Sequence, residues 1–247
     1  MNPSLFNYTL YLADSALVIG QRNGAWCGHG PVLEQDIAIT NITLDLIGQA
    51  RSFYQYAATL QGDGATEDSL AYLRGEREYK NCLLAECPNG DWSQTILRQF
   101  FFSAFQRELY TELQDHEDAT LSAIAVKSLK EVNYHCRWSG EWVVRLGDGT
   151  EESHSRISKS LTTLWPYTGE LFKAADYEIG MGIDPASLHS RWMNAVSAVL
   201  TEATLSLESL KDVYMHLGGK QGKHTEELGP LLAELQYMQR AYPNSQW

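Results

Sequence analysis

Two long stretches of the chain carry apolar residues at a helical period. Between Val32 and Leu60, uninterrupted by proline, Ile39, Ile42, Ala50, Phe53, Ala57 and Leu60 fall within about 40° of Leu46 at about 100° per residue. Between Asp118 and Leu146, the residues Leu121, Ala125, Cys136, Ser139, Val143 and Leu146 cluster in the same way about Val132. Gln49 and His135 lie at the inner margins of these stripes, and Asp45 and Glu131 at their edges. Asp45-Leu46-Ile47-Gly48-Gln49 and Glu131-Val132-Asn133-Tyr134-His135 therefore occupy matching positions on two core helices. The duplication is one of geometry rather than of residues.

Shorter patterns fill in the rest. A first helix is predicted from Tyr8 to Gln21, with Leu10, Leu17 and Val18 inward and Asn7 as its cap. A third segment, Asp68 to Leu84, reads as helical, and another helix runs from Trp92 to Gln114. Phe100, Phe101, Phe102 and Phe105 point in different directions on it, so neighbours must enclose it on several sides. A helical piece from Ile157 to Ala174 is expected to kink at Pro166. Asp184-Pro185 starts a helix through Trp192, Val196 and Leu200, and a last one spans Pro230 to Arg240. No stretch alternates as a strand does, so the chain reads as all-α and as one domain over 1–247.

Composition narrows the partners. Hydrophobic residues make up 44% of the 247, enough for one substantial core. Lys plus Arg is 19 against 31 for Asp plus Glu, a net charge of −12, which argues against nucleic acid or an anionic membrane. The four cysteines form no Cys-x-x-Cys pair, the first residues show no basic leader, and no apolar run approaches the ~20 residues of a membrane span. A cytoplasmic protein is the expectation.

The candidate chemistry centres on Glu131 and His135. Helical di-iron proteins carry Glu-x-x-His motifs, in a set of about four carboxylates and two histidines converging on the core. Here the acid precedes the histidine by four residues, and Val132 stands three before it. Leu46 and Val132, at the stripe centres, each contribute about 1.5–3 kcal/mol by burial instead of ligating. The alternative is a metal site built from Asp45, Glu108, Glu112, Glu131 and His135, but it lacks a second inward histidine and an inward acid at either centre. Without metal, Gln49 and His135 are expected to face and hydrogen-bond each other. Asp45 and Glu131 are then left for solvent, a basic side chain or a subunit interface.

Other clusters read as structural. Cys27 and His29, in a glycine-rich break, suggest a packed Trp26 corner, and Asp115 to Asp118 a solvated connector with charges suited to a helix start. The basic run Gly218-Gly219-Lys220-Gln221-Gly222-Lys223-His224 lacks the phosphate-loop spacing and a preceding strand. It is expected as a surface loop, with partner docking as the alternative.

Several runs together resemble the structural, non-catalytic subunits of bacterial multicomponent phenylacetyl-CoA epoxidases, the phenylacetate ring oxygenases. They are Gly24-Ala25-Trp26-Cys27-Gly28-His29, Leu44-Asp45-Leu46-Ile47-Gly48-Gln49-Ala50-Arg51, and Lys130-Glu131 with Tyr134-His135. The most specific is the C-terminal run Gly218-Gly219-Lys220-x-Gly222-x-His224-Thr225-Glu226-x-Leu228-Gly229-Pro230, followed by Ala233-Glu234-x-Gln236-Tyr237 and Trp247. The resemblance covers essentially the whole chain. It implies a ferritin-like bundle with additional C-terminal helices, no metal or cofactor of its own, and a related catalytic subunit that holds the di-iron centre. That complex epoxidises the ring of phenylacetyl-CoA with dioxygen and electrons from NADPH. Other epoxidase components are further expected partners, and self-association is a second form of assembly.

In the catalytic relatives the second core helix reads Asp-Glu-Ala-Gly-His, so the resemblance sets Leu46 where they hold glutamate and Gln49 where they hold histidine. Their Lys-Glu-Glu-Ser-Phe-His sets Val132 at a liganding glutamate and leaves His135 in place. The first-helix glutamate falls near Ala16 and the third-helix acid near Ser103. Leu46, Gln49, Val132, His135, Ala16 and Ser103 are thus the positions of a vestigial site that the resemblance implies.

Overall fold

The computed structural model describes residues 2–243 and 245, so Trp247 of the C-terminal motif lies outside the described residues. Four long helices make the core: α1 (Pro3–Gly24), α2 (Leu33–Gln61), α5 (Trp92–Leu113) and α6 (Ala119–Gly147). Short α3 (Glu67–Tyr72) and α4 (Leu83–Glu86) bridge α2 to α5. After α6 come α7 (Glu151–Leu164), α8 (Pro185–Glu202), α9 (Leu228–Leu235) and α10 (Tyr237–Ala241), with 3-10 turns between. α1 packs on α2 and α5 on α6 as two helix hairpins, and α2 lies against α6 to join them. Among the described residues there is no strand, and no helix is long and apolar enough to cross a membrane.

Local chemistry fixes where the helices start. Asn2 caps α1, accepting from the amides of Ser4 and Leu5 with Pro3 in the first turn. The helix thus begins more than a turn before the Asn7 cap expected from sequence. Asp118 caps α6 and also accepts the Tyr56 hydroxyl at 2.6 Å, tying the end of α2 to the start of α6. Asp184 caps α8, with Pro185 as its first residue. Phe100, Phe101, Phe102 and Phe105 are all buried, since α5 meets α6, α7 and α8 on different sides.

Three predicted segments come out differently. Asp68 to Leu84 leaves the α-helix after Tyr72 and re-enters one only at Leu83, because Asp14 of α1 draws the chain aside. Asp14 is fully buried and accepts from Tyr54 Oη at 2.6 Å, Arg74 Nη1 at 3.1 Å and the Lys80 amide at 2.8 Å. A backbone amide is free to reach a distant carboxylate outside a helix or in its first turn, but not in a helix interior. The 157–174 segment starts earlier, at Glu151 on a Thr150 cap, and becomes 3-10 turns around Pro166 instead of a kinked helix. The last helix begins at Leu228 and breaks at Gln236, whose Nε2 donates to the Arg74 carbonyl at 3.0 Å.

The largest correction concerns the run from Gly218 to His224. It is no surface loop: Gly218, Gly219 and Lys220 are buried. Glu170, also buried, accepts the amides of Gly218 and Leu83, each at 2.7 Å. Lys220 Nζ meets Glu178 at 3.0 Å and the Lys173 carbonyl at 3.2 Å, and lies 4.8 Å from the centre of the Tyr11 ring. Gly222 has φ +77°, and a Cβ there would sit 2.2 Å from the Arg77 carbonyl, so only glycine fits. His224 directs Nε2 at the Tyr79 carbonyl (3.0 Å) and Nδ1 at Glu86 (3.4 Å). The Nδ1 contact is an electrostatic one, outside hydrogen-bond geometry.

Burial alone would pull the His224 pKa down, but the Glu86 contact and the Tyr79 carbonyl outweigh it and leave it raised. Burial likewise raises Glu86, opposed by His224. The folded chain therefore holds the His224 proton to higher pH than the unfolded chain, and the stability contributed by that proton is complete below about 6.5. It is lost as pH rises through the raised value. Urea unfolding at pH 6, 7 and 8 is expected to show this decline, and His224→Gln to flatten it while costing about 1–3 kcal/mol at pH 6. Lys220→Met is expected to cost about 3 kcal/mol in the same assay, because it strands a mostly buried Glu178.

Candidate functional site at the seam of α2 and α6

α2 and α6 cross antiparallel, and their polar residues pair in a crossed pattern. His135 Nε2 lies 3.0 Å from Asp45 Oδ2, and Gln49 Nε2 donates to Glu131 Oε2 at 2.9 Å. The residue numbers rise on one helix as they fall on the other, as antiparallel packing requires. Each inner-margin residue thus bonds the edge carboxylate of the opposite helix. The hydrogen bond expected between Gln49 and His135 is not formed, and Asp45 and Glu131 find their partners within the chain.

The network continues into α5. Gln106 Nε2 donates to Gln49 Oε1 at 3.3 Å and to the Tyr110 hydroxyl at 3.1 Å. Burial pushes the Tyr110 pKa up, which keeps the phenol a donor. Apolar periodicity does not single out Gln106 and Tyr110; their spacing of four on a helix otherwise rich in phenylalanine is the signal that marks them. Farther along, Gln35 of α2 accepts the indole N–H groups of Trp138 (3.2 Å) and Trp142 (2.8 Å) of α6. Trp92 stacks edge-on against both of those indoles and against Trp26.

The predicted positions divide cleanly. Ala16, Leu46, Ser103, Val132 and His135 have no exposed surface, and Gln49 almost none. Ser103 accepts from Gln99, whose own oxygen accepts from Asn23, in a neutral chain of donors and acceptors. Glu108 and Glu112 are not brought to the seam: Arg107 and Arg191 pair with Glu108, and Arg191 with Glu112. The five-residue metal alternative is therefore not assembled, and among the described residues no three His, Cys, Asp or Glu side chains converge as a ligand set. The residues present do not fit a di-iron centre, which needs several inward carboxylates. Cys27 is exposed and His29 bonds the Cys27 carbonyl, while Trp26 donates to Thr95, so this corner packs as expected.

Comparison with known proteins places this geometry. Among solved structures, a Synechococcus protein described as having aldehyde deformylating oxidase activity aligns with a TM-score of 0.55 at 13% identity, over 82% of this chain and 88% of that one. The shared architecture is a ferritin-like helical bundle, and at this identity the likeness extends to fold alone. A family model described as Phenylacetic acid catabolic protein matches residues 1–247. One of the subunits of the 1,2-phenylacetyl-CoA epoxidase of Escherichia coli (strain K12) is 47% identical over 245 residues, 97% of this chain and 98% of that protein. The chain belongs to the phenylacetic acid catabolic protein family.

His135→Ala removes a buried ring and its bond to Asp45, and is expected to cost about 2 kcal/mol in denaturant unfolding. Asp45→Asn keeps the shape of its partner and should cost less than about 1 kcal/mol, since an amide oxygen still accepts from the ring.

Proposed function

We propose that the chain is the structural, non-catalytic subunit of a phenylacetyl-CoA epoxidase, pairing with and stabilising a related di-iron subunit in aerobic phenylacetate degradation. The family and the 47% identical epoxidase subunit support the epoxidase assignment. The observation that carries the non-catalytic role is the chemistry of the inward positions. Leu46 and Val132 are apolar and fully buried, and Ala16 and Ser103 add no carboxylate. A metal cluster makes buried carboxylates tolerable; here the seam's two carboxylates sit at the edges, each bonded to a side chain across the seam. His135 is then a packed, hydrogen-bonded remnant rather than a ligand. The inferred setting is the reduced cytoplasm, in keeping with four free cysteines, three of them buried.

The reading is tested by co-expressing the chain with the catalytic subunit and measuring iron in each purified chain. One complex on sizing is expected, with about two irons per catalytic chain and almost none in this one. About two tightly bound irons in the isolated chain would overturn the reading in favour of an active di-iron oxygenase, and separate elution would overturn the pairing. His135→Ala, in the assembled complex, should leave turnover within about twofold of wild type.

A further inference from the structure

Tyr8 of α1 carries a hydroxyl that nothing in the chain receives. The residue is 1% exposed, and its Oη has no hydrogen-bond partner among the described residues. A phenol buried in this way gives up the bonds it made to water in the unfolded chain. Nearly all such groups in folded proteins are paired, either with protein or with a fixed water. Burial, and after it the charge of Glu178, holds the Tyr8 pKa well above the usual phenol value. The proton therefore stays on, and the group is a donor that needs an acceptor.

Tyr8 lines a cavity of about 20 Å³ between α1, α5 and the start of α8. Phe105, Phe172, Met181 and Leu188 are among its apolar walls, and the polar side chains that reach it are Tyr8, Glu178 and Lys220. A space of about 10–15 Å³ suffices for one water molecule, provided two to four polar groups face it. The cavity is too small for an organic ligand and too polar at this end to be dry.

The bonds that Glu178 and Lys220 already make decide what a water there can reach. Lys220 directs its protons at Glu178 (3.0 Å) and at the carbonyls of Lys173 (3.2 Å) and Leu171 (3.4 Å), which occupies all three. On Glu178, Oε2 accepts from the Ala175 amide at 2.7 Å and from Lys220, while Oε1 accepts from Lys220 alone. A carboxylate oxygen has two acceptor positions, so Oε1 keeps one open. No direct bond joins Tyr8 to Glu178, and a single water bridges polar groups too far apart to bond directly.

We infer that the cavity is a binding site for one ordered water, which accepts from Tyr8 Oη and donates to Glu178 Oε1. The water joins α1 to the ion pair that holds the Gly218–His224 run inward, and so belongs to the fold rather than to the solvent.

A high-resolution crystal structure of the full chain is expected to show one water at about 2.5–3.2 Å from both oxygens. An empty cavity, or a Tyr8 hydroxyl bonded directly to a protein atom, would overturn the site. Urea unfolding of Tyr8→Phe gives a second reading, whose sign discriminates. Loss of a water-bonded hydroxyl should raise the unfolding constant by about fivefold. Loss of a stranded one would leave the constant level or lower it, because a desolvated donor is then removed, and that result would also overturn the site. Tyr214→Phe, at a residue 77% exposed, is the control and should leave the constant unchanged. The wild-type crystal structure decides the matter even if Tyr8→Phe fails to fold.

Discussion

A carboxylate removed from water needs a matched charge or a full set of donors, and this requirement organises the molecule beyond its four long helices. Asp14 is matched by Arg74, with Tyr54 and the Lys80 amide completing its shell. Glu178 is matched by Lys220, and Glu86 by His224. Glu170 has no cation; it takes two backbone amides, from Leu83 and Gly218. The matching groups are drawn largely from irregular segments on either side of the bundle. That explains why the 74–80 stretch leaves the helix it starts, and why the Gly218–His224 run threads inward past Asn81 and Arg77. Glycines there permit backbone contacts that a side chain would block.

The seam of α2 and α6 solves the same problem by a different route. Its centres are apolar, so no charge is buried there, and its carboxylates lie where a neutral amide and an imidazole can reach them. Four residues make two bonds, and Gln106 and Tyr110 tie the amide to a third helix. In a bundle core arranged this way the carboxylates are bonded from within, while the buried His135 Nδ1 and Gln106 Oε1 have no protein partner. Such a core leaves no inward cluster of acids whose repulsion a cation would have to relieve.

How much of this the residues disclose depends on whether the information is local. Periodicity locates the four long helices to within a few residues at most ends, because a stripe of Leu, Ile, Val and Phe reports burial directly. It also ranks Leu46 and Val132 as inward ahead of Asp45 and Glu131. Direction on a helix does not give register against its neighbour, however. Gln49 and His135 both point toward the seam, yet the antiparallel crossing sets 45 opposite 135 and 49 opposite 131, so each pairs with an acid instead of with the other. The Gly218–His224 run misleads for a related reason. Its composition is that of a surface turn, and the groups that justify burying it, Glu170, Glu178 and Glu86, lie roughly 40 to 140 residues away in sequence.

The crossed bonds also determine the character of the outer surface. A surface carboxylate beside Lys127 or Lys130 would ordinarily neutralise it, and Asp45 and Glu131 line the same groove as Lys127. Hydrogen bonds to His135 and Gln49 orient the two carboxylates across the seam instead of toward Lys127, and Asp45 stays partly exposed beside Leu44. The groove between the helices thus carries both signs, with Glu141 a further exposed acid along α6. Long-range repulsion between chains of −12 is screened beyond about 8 Å at physiological salt, so at contact distance the local arrangement of both signs, rather than the net charge, decides what can lie against α2 and α6.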